Sequence, residues 1–96
     1  MTITLDIIAV KIIEEQKLVI GPLAWSEAQK VNGLQVVDLR NGKVVLRDGD
    51  PKEVVNRLVA QYERLFGRAS REVCRKAVAG MLAELSPVDI PSSLRT

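Results

Sequence analysis

The chain has 96 residues, 47% hydrophobic and 27% charged, which is the balance of one small soluble domain rather than a disordered segment. It holds no His and a single Cys, which excludes Cys/His zinc sites, Ser-His-Asp and Cys-His nucleophiles, and an intramolecular disulfide. Net charge is +2, from 14 basic and 12 acidic residues, too small to imply a polyanionic partner by itself.

The first element is Leu5 to Lys17. Leu5, Ile8, Ala9, Ile12 and Ile13 recur at helical spacing, with Thr4 placed to cap and Lys11, Glu14 and Glu15 on the other side. A strand is the competing reading, because Ile and Val are β-branched, but a two-residue period fits this stretch less well. Leu18-Val19-Ile20, stopped by Gly21-Pro22, reads as a short strand. Pro22 suits the first position of a helix running to Val31, which Asn32-Gly33 ends.

Leu34 to Asp48 reads as a hairpin. Leu34–Leu39 and Lys43–Arg47 flank Asn41-Gly42, the dipeptide of a two-residue type I′ turn. That turn sets Arg40 opposite Lys43, Leu39 opposite Val44 and Val37 opposite Leu46. Val37, Leu39, Val44 and Leu46 are then the inward face, and Val36, Asp38, Val45 and Arg47 the outward one. Two strands alone are marginal in water, so helices must cover one side.

Asp50-Pro51-Lys52-Glu53 is a capping box with Asp as the cap, opening a helix to Phe66 before Gly67. Its stripe is Val54, Val55, Leu58, Val59, Tyr62, Leu65 and Phe66. Ser70 is placed to cap a last helix, Arg71 to Leu85, with Cys74, Ala77, Val78, Met81, Leu82 and Leu85 inward. Ser86-Pro87 ends it. The fold class is α+β: four helices and one hairpin, in the order helix, short strand, helix, hairpin, helix, helix. Residues 1–85 form one domain, and residues 86–96 a loosely docked tail.

Trp25, Tyr62 and Phe66 are the whole aromatic complement, so the core is aliphatic. Residues 1–50 carry six basic and seven acidic side chains, and residues 51–96 carry eight and five. The basic surplus lies around the turn between the last two helices, in Arg64, Arg68, Arg71, Arg75 and Lys76. There it could meet a phosphate or nucleic acid, extended by Arg40 and Lys43, or simply form a solvated face. Trp25 is a candidate for an interface or for the core. Cys74 falls on an apolar stripe and reads as a small buried hydrophobe. Glu14 and Glu15 are adjacent and diverge, so they make no catalytic pair. A lone acid such as Asp38 or Glu53 is the weakest of the functional readings.

No segment has the form of a signal peptide or membrane span, which makes the cytoplasm the default compartment. No cofactor or metal is implied. The apolar stripes of three helices exceed what a two-stranded hairpin can cover. The expectation is therefore a non-enzymatic protein-interaction or regulatory module that associates with itself as a homodimer, or with another protein. The alternative is a nucleic-acid-binding protein using the basic turn.

Overall fold

The computed structural model describes residues 4–47 and 49–95; Met1–Ile3, Asp48 at the expected end of the hairpin and Thr96 of the tail lie outside the described residues. The elements are α1 (Leu5–Ile20), α2 (Leu23–Ala28), β1 (Leu34–Asp38), β2 (Lys43–Leu46), α3 (Pro51–Phe66) and α4 (Arg68–Leu82). Two short 3-10 turns follow, Pro87–Asp89 and Ser92–Leu94. The class is α+β.

α1 is the hub. Ile8, Ala9, Ile12 and Ile13 are fully buried, and the helix packs on α2, α3, α4 and β2. Thr4 caps it, its Oγ1 accepting the Ile7 N–H at 3.5 Å. The strand expected at Leu18–Ile20 is instead its last turn. Helical periodicity continues through Ile20, which packs against the core, and outweighs the weak β preference of the Leu-Val-Ile run. The helix stops only at Gly21, whose φ of 72° lets its N–H turn back to the Lys17 carbonyl at 2.9 Å.

α2 is shorter than expected. Pro22 precedes it as the cap residue, and Val31 is buried in the turn beyond it.

The hairpin register is corrected. Leu34 faces Leu46, Val36 faces Val44 and Asp38 faces Lys43, with an irregularity between Val36 and Asp38. The loop therefore spans residues 39–42 rather than two residues. A one-residue slip reverses a strand's faces. Accordingly Leu34 and Val36 turn inward with Val44 and Leu46, while Val37 and Leu39 are exposed. The local cause is Asp38, whose carboxylate accepts the Asn41 N–H at 3.2 Å and the Asn41 Nδ2 at 2.6 Å. Such a side-chain-closed turn competes with the tight Asn-Gly loop.

Asp50 caps α3 through the Lys52 N–H, at 3.0 Å. No reciprocal Glu53 bond is found among the described residues, so half of the expected capping box forms. Val54, Val55, Leu58, Val59 and Tyr62 fill the inner face of α3. α4 starts at Arg68, not after a Ser70 cap, because Gly67 with φ of 89° reverses the chain in one residue. Ser70 thus lies inside the first turn and is buried. α4 ends at Leu82, three residues before the expected stop, and its inner face is Cys74 and Val78.

The segment after α4 is firmly docked rather than loose. Asn56 Oδ1 accepts both the Ser93 N–H at 3.0 Å and the Ser93 hydroxyl at 2.6 Å. Arg71 Nε donates to the Ser93 carbonyl at 3.3 Å, and Lys52 Nζ to the Val88 carbonyl at 2.8 Å. Leu94 is 2% exposed and Pro91 is buried. Leu94 is the buried apolar anchor of the segment, which these four bonds hold to α3 and α4.

Candidate interaction surfaces

The residues singled out in the sequence do not form one site. Trp25 is a core side chain, 8% exposed, with its ring beneath Gly42 at the hairpin tip. Burying its large ring there fills the space between α2 and the hairpin, so it offers no surface to a partner.

The basic cluster is also dispersed. Arg71 is turned to the Ser93 carbonyl, Arg75 pairs with Glu72 at 2.7 Å, and Arg64 donates to Gln61 Oε1 at 3.0 Å. Arg68 and Lys76 are exposed with no ion pair among the described residues. The shallow cleft holding Arg68, Arg71 and Arg75 also holds Glu63 and Glu72. Interleaved carboxylates cancel much of the field a phosphate would need. The hairpin tip, with Arg40 and Lys43, sits over Glu14 and Trp25 rather than beside this cleft.

The titratable groups inside the fold are desolvated or already hydrogen-bonded. Cys74 is buried, and burial pushes its thiol up to about 11, where it is neutral at ordinary pH. Tyr62 is fully buried and donates to the Ala24 carbonyl at 2.6 Å; desolvation raises its hydroxyl far above the ordinary value. Glu27 accepts from Lys30 Nζ at 2.9 Å and Gln61 Nε2 at 2.8 Å, which hold its carboxyl below the usual range. Gln16 is fully buried beneath α4: its Nε2 donates to the Ser70 carbonyl at 2.9 Å and to Cys74 Sγ at 3.3 Å, while its Oε1 has no partner. Among the described residues no group of three or more acidic, His or Cys side chains is arranged to hold a metal ion, and no helix is long and apolar enough to cross a membrane.

Two surfaces stand out from this background. The first is one end of the helical bundle. The Gln16–Ser70 bond puts the end of α1 beside the start of α4, which directly follows the end of α3. The Tyr62–Ala24 bond brings the start of α2 to the same end. Leu18 (80% exposed), Val19 (63%), Leu23 (52%), Leu65 (44%) and Phe66 (38%) all sit on these termini. Arg64 and Arg68 flank Leu65 and Phe66 in the chain. Summed over the five residues the exposed area is on the order of 500 Å², distributed around this end of the bundle, since Leu18 and Val19, like Leu65 and Phe66, are chain neighbours that diverge on their helix. Leu18 and Val19 escape a sequence reading because a short strand would have been covered by a sheet. Leu65 and Phe66, expected inward on the apolar stripe of α3, are instead exposed in its last turn, beyond the buried face that ends at Tyr62.

The second surface is a groove of about 740 Å³ between α4 and the docked segment. Glu72, Arg75, Lys76, Ala79 and Leu82 line one wall, at the spacing of a single α4 face. Pro87, Val88, Ile90, Leu94 and Arg95 line the other. It lies along the later part of α4, away from the apolar end of the bundle. The sequence does not announce it, because it exists only once the segment after Ser86 folds back.

Comparison with known protein families, curated proteins and solved structures finds no match to this chain.

Proposed function

We propose that the protein is a non-enzymatic protein-interaction module that associates with itself through the apolar end of its helical bundle. The observation that carries this reading is the collection of Leu18, Val19, Leu23, Leu65 and Phe66 at three converging helix ends. Leaving them in water forgoes roughly 25 cal/mol per Å² that burial would return. A two-fold axis sets the same patch against its copy. Complete burial of all five residues on both copies would remove about 1,000 Å², so a specific interface of that size draws on the polar rim, Arg64 and Arg68 included, as well. A non-catalytic role is supported by what is buried: Cys74 and Tyr62 are held neutral by desolvation, and Glu27 is committed to Lys30 and Gln61.

Sedimentation equilibrium over 1–100 µM tests the reading. The expected result is a mass rising from one chain toward two, little changed between 50 and 500 mM salt. Leu18→Glu combined with Leu65→Glu should hold the protein at one chain with its fold intact, since both side chains are exposed. A single-chain mass for the natural sequence at 100 µM would overturn the proposal. So would tight binding of a labelled random duplex whose affinity falls steeply with salt, the signature of counterion release.

A further inference from the structure

We infer that the groove between α4 and residues 87–95 receives an amphipathic helix from another protein, with an acidic face. The floor is apolar: Leu94 is buried, and Leu82 and Ile90 are half-buried against the core. Val88, 69% exposed, stands on the outer lip. Arg75, Lys76 and Arg95 line the groove against one carboxylate, Glu72, which Arg75 already holds at 2.7 Å. Lys76 has no anionic partner among the described residues. Among the described residues Arg95 likewise has no anionic partner, and its guanidinium donates to the Pro87 carbonyl at 2.8 Å. An occupant with apolar anchors and flanking carboxylates therefore complements both the floor and the uncompensated cations.

The walls select the backbone form. α4 supplies one wall, and its backbone N–H and C=O groups are spent inside the helix. No strand lines the groove, so it offers an extended peptide no ladder to pair with, and recognition falls mainly to side chains, the helix-in-groove mode. From Glu72 to Leu82 the wall measures about 15 Å at 1.5 Å per residue, the length of roughly three turns of a docked helix. An acyl chain is a poorer fit, because the groove is open along its length and would leave much of the chain in water. This inference does not depend on self-association, since the apolar end and the groove are separate surfaces.

The probe is a fluorescein-labelled, 14-residue stapled helical peptide with Leu at i, i+3, i+7 and i+10 and Glu at the flanking positions. Anisotropy is measured on the full chain at 50 and 300 mM salt. The expected result is micromolar binding, at least tenfold weaker for the same peptide with Lys in place of every Glu. Lys76→Glu with Arg95→Glu should invert that preference. Val88→Glu should weaken the acidic peptide at least tenfold, and because Val88 is exposed it leaves the fold intact, as circular dichroism checks. Leu39→Glu, on the hairpin, should change nothing. Equal binding of the two peptides, no binding at 100 µM, or binding insensitive to Val88→Glu would each overturn the inference. Binding of dodecanoate at this lip without binding of the peptide would overturn it in favour of a lipid ligand.

Discussion

Gln16 offers a test of how the core is specified. It sits at the buried crossing of α1 and α4, with one amide hydrogen bond to the Ser70 carbonyl, a weaker one to Cys74 Sγ, and an orphaned Oε1. Replacing it with Met keeps the volume and removes all three features. The lost amide bond is worth about 1 kcal/mol, and the bond to sulfur less. The Ser70 carbonyl is not stranded, because in the first turn of α4 it also serves the Cys74 N–H. Against that loss stands the orphaned oxygen, whose burial without a partner costs about 1–3 kcal/mol in the natural protein. Gln16→Met should therefore be neutral to about 2 kcal/mol stabilising. Gln16→Ala, which opens a cavity, should cost about 2–4 kcal/mol by analogy with other large-to-small core changes. Gln16→Glu should be the worst of the three at neutral pH, because it buries an unpaired carboxylate, and it should recover as pH falls and the carboxyl takes a proton. Urea melts at low micromolar concentration, with unchanged m-values, measure all three. A loss above about 1 kcal/mol in Gln16→Met would refute the reasoning, because the amide would then stabilise more than its orphan costs.

Other consequences are as direct. Leu94→Ala should destabilise the fold by about 2–3 kcal/mol, since Leu94 is the buried apolar anchor of the docked segment; a change under about 0.5 kcal/mol in a thermal melt would restore the picture of a loose tail. Glu27 has its folded value lowered by the hydrogen bonds from Lys30 and then Gln61, so its contribution is present above the ordinary glutamate range and is lost as pH falls through the lowered value. The urea midpoints of the natural protein and Glu27→Gln should therefore differ at pH 7 and converge toward pH 3; parallel curves would contradict the assignment. Cys74, buried with its thiol pushed up to about 11, should react with Ellman's reagent at pH 8 only through opening of the fold. Its rate should be on the order of 10³-fold below that in denaturant or slower, and prompt labelling would show α4 to be detached.

What the sequence disclosed, and what it hid, follows the range of the interactions. The cap of α3 at Asp50 and the stripe from Val54 to Tyr62 are local, and both stand. The Leu5–Ile13 periodicity of α1 also stands, but its end does not, because in Leu18–Ile20 a β preference competes with the continuing helical period and the packing of Ile20 against the core decides between them. The hairpin exists where Asn41-Gly42 marks it, yet its register is set by the Asp38 carboxylate and by burial of Leu34 and Val36 against helices. Ser70 has the composition of a cap, but Gly67 makes the turn alone. The candidate surfaces were least legible. Trp25 went to the core, and Arg71 was drawn to the Ser93 carbonyl 22 residues away, while Arg75 and Arg64 were taken by Glu72 and Gln61, each three residues earlier on the same helix. The apolar end needs three helix termini to converge, and the groove needs the segment after Ser86 to double back. Neither event leaves a short-range pattern.

Self-association through the bundle end is tested most directly by a methyl NMR dilution series on the Leu- and Val-labelled chain, from 500 µM to 5 µM. The methyl resonances of Leu18, Val19, Leu23 and Leu65 should shift together with one dissociation constant, while those of Val37, Leu39 and Val88, equally exposed but elsewhere, stay still. Concentration-dependent shifts confined to Val37 and Leu39, or no shifts at all, would contradict the account.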